Sequence, residues 1–264
     1  MTSYLAGAPL DSVHRALLLV KSLEEGNVLS VTGAAEFLDV APSTAHRLLA
    51  ALCFDGFALQ DSNKQYRAGP AIQRQRVRGL PVQELAKAIR PSLLELNEVI
   101  DETVQLWVLR GRLVRYVDGV ESMKPLSVRT GMWDNVPASD SAAGRAMLAE
   151  LNEAEVDRLH AGGVTQWGKS RIHTLVELEA HLETVRRDGY ATSVEEAVAG
   201  VNGVAGCIRG INGEPVAALS IAIPTVRFSA EFVRECADTL RRVTRVAERA
   251  LADLTRRLEG APSR

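Results

Sequence analysis

The sequence predicts an α+β fold in two domains, and three observations lead to this prediction. The chain has 264 residues, which exceeds the usual size of one domain. Its first part contains three stretches with the apolar spacing of helices, followed by two short β-prone runs around a polar turn. Its second part alternates hairpin signals with helical stretches, which indicates an antiparallel sheet with flanking helices.

Three short helices are predicted in the first part. Asp11 or Ser12 can cap the first helix, and Ser30 or Thr32 can cap the second, because these side chains accept hydrogen bonds from free N–H groups. Pro42 suits the first turn of the third helix, since its φ is already helical and it has no N–H to leave unpaired. Residues 39–41 form the turn between the second and third helices.

The third predicted helix has two different faces. One face is apolar and comprises Ala45, Leu48, Leu49 and Leu52. The other face is polar and comprises Ser43, Thr44, His46 and Arg47. A helix that starts with hydroxyls, an imidazole and a guanidinium can enter the major groove of DNA. The alternative role of Ser43 and Thr44 is to cap the helix, and the alternative for His46 and Arg47 is simple exposure to water.

A hairpin is predicted directly after the third helix. Residues 57–60 and 65–68 can pair as strands across a polar turn at 61–64. Three helices followed by such a wing predict a winged helix-turn-helix, in which Lys64 and Arg67 contact phosphates. Between residues 40 and 78 there are six basic and two acidic residues, although the whole chain has a net charge of −2. This local excess fits contact with DNA better than binding to a membrane.

The remaining sequence divides into a linker and a larger domain. We predict a DNA-binding domain at 1–69, a basic linker helix at 70–80 and a second domain at 81–260. The second domain opens with a long helix at 81–100, which Pro91 kinks or splits. Strand pairs are expected at 103–109 with 113–120, and at 206–211 with 215–223 across Asn212-Gly213. Further helices are expected at 141–150, 153–160 and 175–188, and a last one starts near residue 229.

Composition argues against several classes of protein. The three cysteines are far apart and the five histidines lack metal-binding spacing, so the sequence implies neither a disulfide framework nor a metal, and we expect no cofactor. Free thiols fit the cytoplasm. No signal peptide and no apolar run long enough to cross a membrane is visible.

Five segments of the chain together resemble those of one family, in the family's order. They are SVHRAL at 12–17, STAHRLL at 43–49, YRAGP at 66–70, Pro137 with AAGRA at 142–146, and RDGYA at 187–191 with EE at 195–196 and GV at 200–201. The chain therefore resembles the IclR-type bacterial transcription regulators, named for the isocitrate lyase regulator. It departs from them at Ala41 and Pro42, where a proline and a basic residue are usual, and at Arg145, where lysine is usual.

The resemblance implies a GAF-like effector-binding domain after the winged helix, and dimers or tetramers on a palindromic operator in double-stranded DNA. It also implies that the effector is a small carboxylic acid. Gly131, Met132, Asn202 and Cys207 are pocket candidates by resemblance, and Ser141 stands where the family often has threonine. Ser220 is a candidate on its own evidence, because a hydroxyl in an apolar strand needs a partner, which is either a backbone group or a ligand carboxylate. The bulky Met132 and its neighbour Trp133 favour an aromatic or apolar acid.

Two other functions remain open from the residues alone. An enzyme of the α+β domain would have only Ser139, Asp140 and Ser141, with His160 or His173, as a source of nucleophile and base. No G-x-S-x-G elbow and no metal-binding spacing supports that alternative. An architectural DNA-binding protein without an effector is the other alternative. The leading hypothesis is a regulator whose DNA affinity responds to a small acid, acting as repressor or activator.

Overall fold

A computed structural model describes residues 11–24, 27–61, 63–69, 76–131, 134–165 and 167–259. The chain divides into two compact units, and the division lies between Arg76 and Val77. This point falls inside the predicted linker.

The N-terminal unit has the winged helix-turn-helix arrangement that the sequence predicts. Its helices are α1 (Asp11–Glu24), α2 (Val31–Leu38) and α3 (Pro42–Phe54), and its wing strands are β1 (Ala58–Gln60) and β2 (Tyr66–Ala68). The fully buried side chains of its small core come from all three helices and from β1, and they are Leu19, Leu23, Ala34, Ala45, Leu49 and Ala58. The amphipathic pattern of α3 therefore buries the predicted apolar face.

Local chemistry sets the turn of this unit. Ser30 caps α2, and its Oγ accepts a hydrogen bond of 2.9 Å from the backbone N–H of Gly33. Asp39 ends α2 in the left-handed region with φ 51°, which aspartate tolerates better than most residues. Pro42 then occupies the start of α3, as predicted, while the N-cap itself is Ala41, whose side chain cannot cap.

The C-terminal unit is built on a six-stranded antiparallel sheet with the order β7-β6-β5-β10-β9-β8. Its strands are β5 (Thr103–Arg110), β6 (Leu113–Val120), β7 (Asn135–Pro137), β8 (Ala191–Val194), β9 (Val201–Arg209) and β10 (Pro215–Pro224). Its helices are α4 (Val82–Ile100), α5 (Ala142–Leu148), α6 (Glu153–Leu159), α7 (Leu175–Asp188) and α8 (Ala230–Glu259). This is the predicted α+β class.

The sheet has a separate apolar core on each face. One core joins α4 and α8 to inward residues of the central strands, such as Val104, Leu106 and Ile221. The other core joins α5 and α7 to Trp107, Ala205 and their neighbours. Because side chains alternate along a strand, successive residues of β5, and of β10 after the irregularity at its start, belong to different faces of the sheet. The second face is only partly covered, and the cavity described below lies there.

The prediction of a linker helix is wrong, and one of the two alternatives for Pro91 in the first long helix is excluded. Residues 76–80 are not helical, because β3 (Arg76–Val77) and β4 (Leu80–Pro81) pair across a turn in which Arg78 and Gly79 have φ of 50° and 83°. The rest of the predicted linker, 70–75, lies outside the described residues. Pro91 does not split α4, which continues through it. Pro91 is exposed, so water can replace the helical hydrogen bond that proline cannot donate.

The strand β9 begins earlier than predicted. It starts at Val201 rather than at residue 206, and Gly203 lies within it. A Cβ at Gly203 would come within 3.0 Å of the Ala142 side chain, so the missing side chain allows α5 to approach the sheet. Among the described residues, no helix combines the length and apolar character needed to cross a bilayer.

Candidate functional sites

The polar face of α3 is accessible along its first two turns. Ser43, His46 and Arg47 are exposed, and Thr44 is half-buried. Neither Ser43 nor Thr44 caps the helix, so the capping alternative is wrong for both, and their hydroxyls are available at its N-terminal end. None of the described residues forms an ion pair with Arg47. The four predicted side chains therefore lie together on the surface of one short helix.

The wing carries the other two predicted DNA contacts. Lys64 is exposed in the tight turn, with φ 59°. Arg67 is also exposed, but its Nε donates to Asp61 Oδ2 at 3.0 Å. Asp61 Oδ1 accepts hydrogen bonds from the backbone N–H groups of residues 63 and 65, which builds the turn. The Gln65 N–H and the Arg67 guanidinium hold the Asp61 pKa below its usual value, so Arg67 faces a carboxylate.

A cavity of about 370 Å³ opens on the second face of the sheet. Its floor comes from the central strands β5 and β10, and its walls come from the start of α5 and from segments 126–131 and 197–203. The lining side chains are mainly small or apolar, and they include Leu126, Val128, Val136, Ala142, Val198 and Ala222. Of the described lining residues, Arg129 alone carries a formal charge. The volume suits a small organic molecule.

The structure brings four of the predicted pocket residues to this cavity. Gly131, Ser141, Asn202 and Ser220 all border it. Ser141 also caps α5, and its Oγ accepts from the Gly144 N–H at 3.1 Å. Met132 lies outside the described residues.

Asn202 borders the cavity with its backbone rather than its amide. It pairs with Ile223 in the sheet, and its side chain alternates with those of the cavity face. Its Nδ2 donates to Thr225 Oγ1 at 3.0 Å. The register of β9 therefore turns the Asn202 amide to the face opposite the cavity, although the residue itself lines the cavity as predicted.

Cys207 does not border the cavity, and its prediction as a pocket residue is wrong. It lies four residues along β9 from Gly203, on the same face but beneath α5. Its Sγ contacts the carbonyl oxygen of Ala217 at 3.5 Å, and burial raises the pKa of the thiol. It is a small buried side chain, the ordinary role of such a cysteine.

A buried ion pair fixes one wall of the cavity. Arg145 on α5 and Glu196 after β8 are both 4 % exposed, and their Nη2 and Oε2 atoms are 2.6 Å apart. Arg145 Nε also donates to Ser139 O at 2.6 Å, and Nη1 donates to Thr192 O at 2.9 Å. Burial raises the pKa of Glu196, while the attraction of Arg145 opposes that rise. Glu196 directly precedes the lining residue Ala197, so the pair joins α5 to this part of the wall.

The comparisons with known proteins agree with both units. The family model described as IclR helix-turn-helix domain matches residues 12–62, and the model described as bacterial transcriptional regulator IclR C-terminal matches residues 77–249. The chain belongs to the IclR family. Its relatives include the transcriptional repressor IclR of Escherichia coli, 29 % identical over 87 % of this chain and 86 % of that protein. The acetate operon repressor of Salmonella typhimurium is 30 % identical over 86 % of this chain and 84 % of that protein.

Solved structures of IclR proteins share the fold. The crystal structure of IclR from Thermotoga maritima is 26 % identical, with a TM-score of 0.58 over 92 % of this chain and 99 % of that one. An IclR homologue from Microbacterium hydrocarbonoxydans, in complex with 4-hydroxybenzoate, is 21 % identical, with the same TM-score over 92 % and 99 %. This IclR-family chain is therefore a transcription regulator with a helix-turn-helix for DNA and a C-terminal domain for a ligand.

Two cavity residues of this IclR-family chain are missed by sequence reasoning. Trp107 and Gln105 lie on β5 within an apolar run, and both face the cavity. Trp107 Nε1 donates to Ser220 Oγ at 3.0 Å, and its ring meets Tyr116 edge-on with 5.7 Å between centroids. The sequence did indicate them, because residues two positions apart in a strand point to the same face, and Gln105 and Trp107 are two positions apart in a predicted strand.

The residues of the enzyme alternative have structural roles. Asp140 is buried and accepts hydrogen bonds from Ser170 Oγ at 2.7 Å and from the Trp167 N–H at 3.2 Å. His160 is buried, with its Nδ1 at 2.9 Å from the carbonyl oxygen of Val156. Within the described ranges, neither a serine–histidine hydrogen bond nor a metal-ligand cluster is present. The IclR relatives are regulators, and no catalytic family is indicated.

Proposed function

We propose that this chain regulates transcription by binding a palindromic operator as a dimer or tetramer, and that a small organic or aromatic acid controls its DNA affinity. The observation that carries the proposal is the presence, in one chain, of an exposed polar helix face and a largely apolar cavity. The first can read DNA and the second can hold a metabolite. Both lie in units that match the family models.

The helix α3 and the wing are proposed to divide the DNA contacts between them. Arg47 is exposed and has the fork of donors that pairs with guanine or phosphate. Ser43, Thr44 and His46 lie beside it at the N-terminal end of the helix, where backbone N–H groups also favour phosphate. Lys64 and Arg67 on the wing would contact phosphates, which position the protein without specifying sequence. A palindrome places two such helices one turn of DNA apart.

The cavity favours an acid with a largely apolar body. Most lining side chains are aliphatic or aromatic, and none of those in the described ranges is a carboxylate. Arg129 lies at the exposed edge, where it can attract a carboxylate without a large desolvation cost. Ser220 offers a hydroxyl from the floor. The protein would have one arrangement that fits DNA and another that does not. The effector can change the affinity for DNA only if it binds more tightly to one of these two arrangements.

The DNA half of the proposal is tested by fluorescence anisotropy on DNA flanking the protein's own gene. We expect salt-dependent binding, and we expect Arg47→Ala to weaken it by about 5- to 150-fold, the range for one bidentate base contact. Arg234→Ala is the matched control, because Arg234 is exposed on α8, in the other unit. The proposal fails if no specific binding occurs with or without small acids, or if both variants bind like the wild type.

The assembly half is tested by sedimentation of the protein with and without the same DNA. A dimer or tetramer is expected to occupy one palindromic duplex, and a duplex with a single half-site is expected to bind more weakly. A monomer that binds both duplexes equally would contradict this part of the proposal.

A further inference from the structure

We infer that Gln105 recognises a hydroxyl group on the effector, so that the cavity selects hydroxylated acids over the parent acids that lack the hydroxyl. The inference deepens the proposed function and rests on it. It concerns the floor of the cavity, whereas Arg129 lies at the exposed edge.

The Gln105 side chain is buried but has no protein partner among the described residues. It is 9 % exposed, and it lies on β5 at a position that borders the cavity. In the sheet register it lies directly opposite Ser220 on β10, so both side chains emerge on the cavity face. Its nitrogen and oxygen are not among the fully enclosed atoms without a partner, so the amide faces the open cavity, where a ligand or water can complete its hydrogen bonds. The position of the amide therefore points to a polar group on the ligand.

The neighbouring Ser220 restricts what that polar group can be. Its Oγ already accepts the hydrogen bond from Trp107 Nε1, so its own proton is directed elsewhere. The floor thus offers one hydroxyl donor from Ser220, together with the two donors and one acceptor of the Gln105 amide. To use both the donors and the acceptor, the ligand group must accept at least one hydrogen bond and donate one.

A hydroxyl meets this requirement and a carboxylate does not. A hydroxyl can accept from Ser220 and donate to Gln105 Oε1. A carboxylate only accepts, so the Gln105 amide could donate to it but the amide oxygen would be left without a donor, and the described lining has no cation at the floor to offset burial of that charge. The geometry therefore points to a carboxylate at the Arg129 edge and a hydroxyl at the floor.

The test compares matched acids on the purified full chain by isothermal titration calorimetry. The pairs are benzoate with 4-hydroxybenzoate, phenylacetate with 4-hydroxyphenylacetate, and hexanoate with 6-hydroxyhexanoate. In at least one pair we expect the hydroxy acid to bind about 10-fold more tightly than the parent acid. The reason is that the parent acid leaves the Gln105 amide without a hydrogen-bond partner in the ligand. In Gln105→Met, which keeps the length of the side chain, the preference should fall to about 2-fold or less while the parent acid binds as before.

Two controls separate recognition from structure. Gln83→Met changes an exposed glutamine on α4, away from the cavity lining, and should keep the full preference. The unliganded Gln105→Met protein should melt at or above the wild-type temperature, since a buried amide without a partner does not stabilise the fold. If Gln105→Met does not fold, Gln105→Asn, which keeps the amide but shortens its reach, should still reduce the preference.

Each outcome decides the inference. It is overturned if no pair shows a preference, if no hydroxy acid binds, or if the preference survives in Gln105→Met. Operator binding, measured on the same preparations, separates this failure from failure of the proposed function. Intact DNA binding and binding of the parent acids without selectivity would remove only the role of Gln105. A loss of every acid effect would remove the effector part of the proposed function as well.

Discussion

Replacing Arg145 with methionine should destabilise the C-terminal unit while leaving most of the local volume filled. The change removes the 2.6 Å ion pair with Glu196 and the hydrogen bonds donated to the carbonyl oxygens of Ser139 and Thr192. Removing one partner of a buried pair leaves an unpaired charge with little access to water, which typically costs about 3–5 kcal/mol. The attraction of the exposed Arg171 offsets a small part of this cost. Both side chains are 4 % exposed, so solvent screening does not reduce this value much.

The size of the effect should depend on pH in a defined direction. Burial already raises the pKa of Glu196 above its usual value of 4.5, and the loss of Arg145 removes the attraction that opposes this rise. A carboxyl group with a raised pKa contributes its stability below the unfolded-state pKa, and that contribution is lost as pH rises through the folded-state pKa. The cost of Arg145→Met should therefore be greatest near neutral pH and decrease as pH falls towards 5, because Glu196 then takes up a proton.

Urea unfolding followed by tryptophan fluorescence measures this cost in the C-terminal unit, because all three tryptophans lie after residue 100. Arg234→Met is the exposed control and should change the unfolding free energy by less than about 0.5 kcal/mol. The double variant Arg145→Met with Glu196→Leu should recover most of the loss, since removing both charges removes the unpaired one. A cost below about 1 kcal/mol at pH 7, or one that does not fall by pH 5, would refute the reasoning.

Two further predictions concern a helix and the wing. Gly144→Ala should lower the unfolding free energy by about 1–3 kcal/mol in the same urea assay, because a Cβ there would lie 2.2 Å from a backbone carbonyl oxygen. Gly162→Ala is its control in the same unit, where the site is exposed and the nearest atom is Arg112 Nη1 at 3.6 Å, and a change beyond about 1 kcal/mol at that site would contradict the argument. Asp61→Asn keeps an acceptor for the wing turn but releases Arg67, so it should tighten DNA binding and steepen the salt dependence by about one phosphate contact. Unchanged or weaker binding in anisotropy would show that Arg67 does not reach DNA.

Elements with strong local signals could be predicted from the sequence. Helix α7 spans Leu175–Asp188 as predicted, because Thr174 and Glu177 form a capping box at its start and Gly189 ends it with φ 75°. The third helix begins at Pro42 for a reason that is equally local. The wing and both long hairpins of the sheet were predicted to within a few residues, since turn residues mark them.

Features that depend on long-range pairing could not be predicted. Cys207 and Gly203 lie on the same strand face, but only the position of α5 decides which of them borders the cavity. The direction of the Asn202 side chain depends on the register of β9 against β10. Gln105 and Ser220 are 115 positions apart in the sequence, and they become neighbours only when β5 pairs with β10. The basic stretch at 70–80 suggested a helix, whereas its described end has two residues with positive φ.

The two-sided packing of the central strands has a consequence for engineering this chain as a biosensor. Val104, Leu106 and Ile221 point into one core, while Gln105 and Ser220 point towards the cavity. In a library of substitutions across β5 and β10, the effect should therefore alternate from one position to the next. Changes at one set of positions would reduce the yield of folded protein, and changes at the other would alter which compounds switch the reporter. Ligand response could then be evolved along the same strands that hold the unit together, by leaving every second codon untouched.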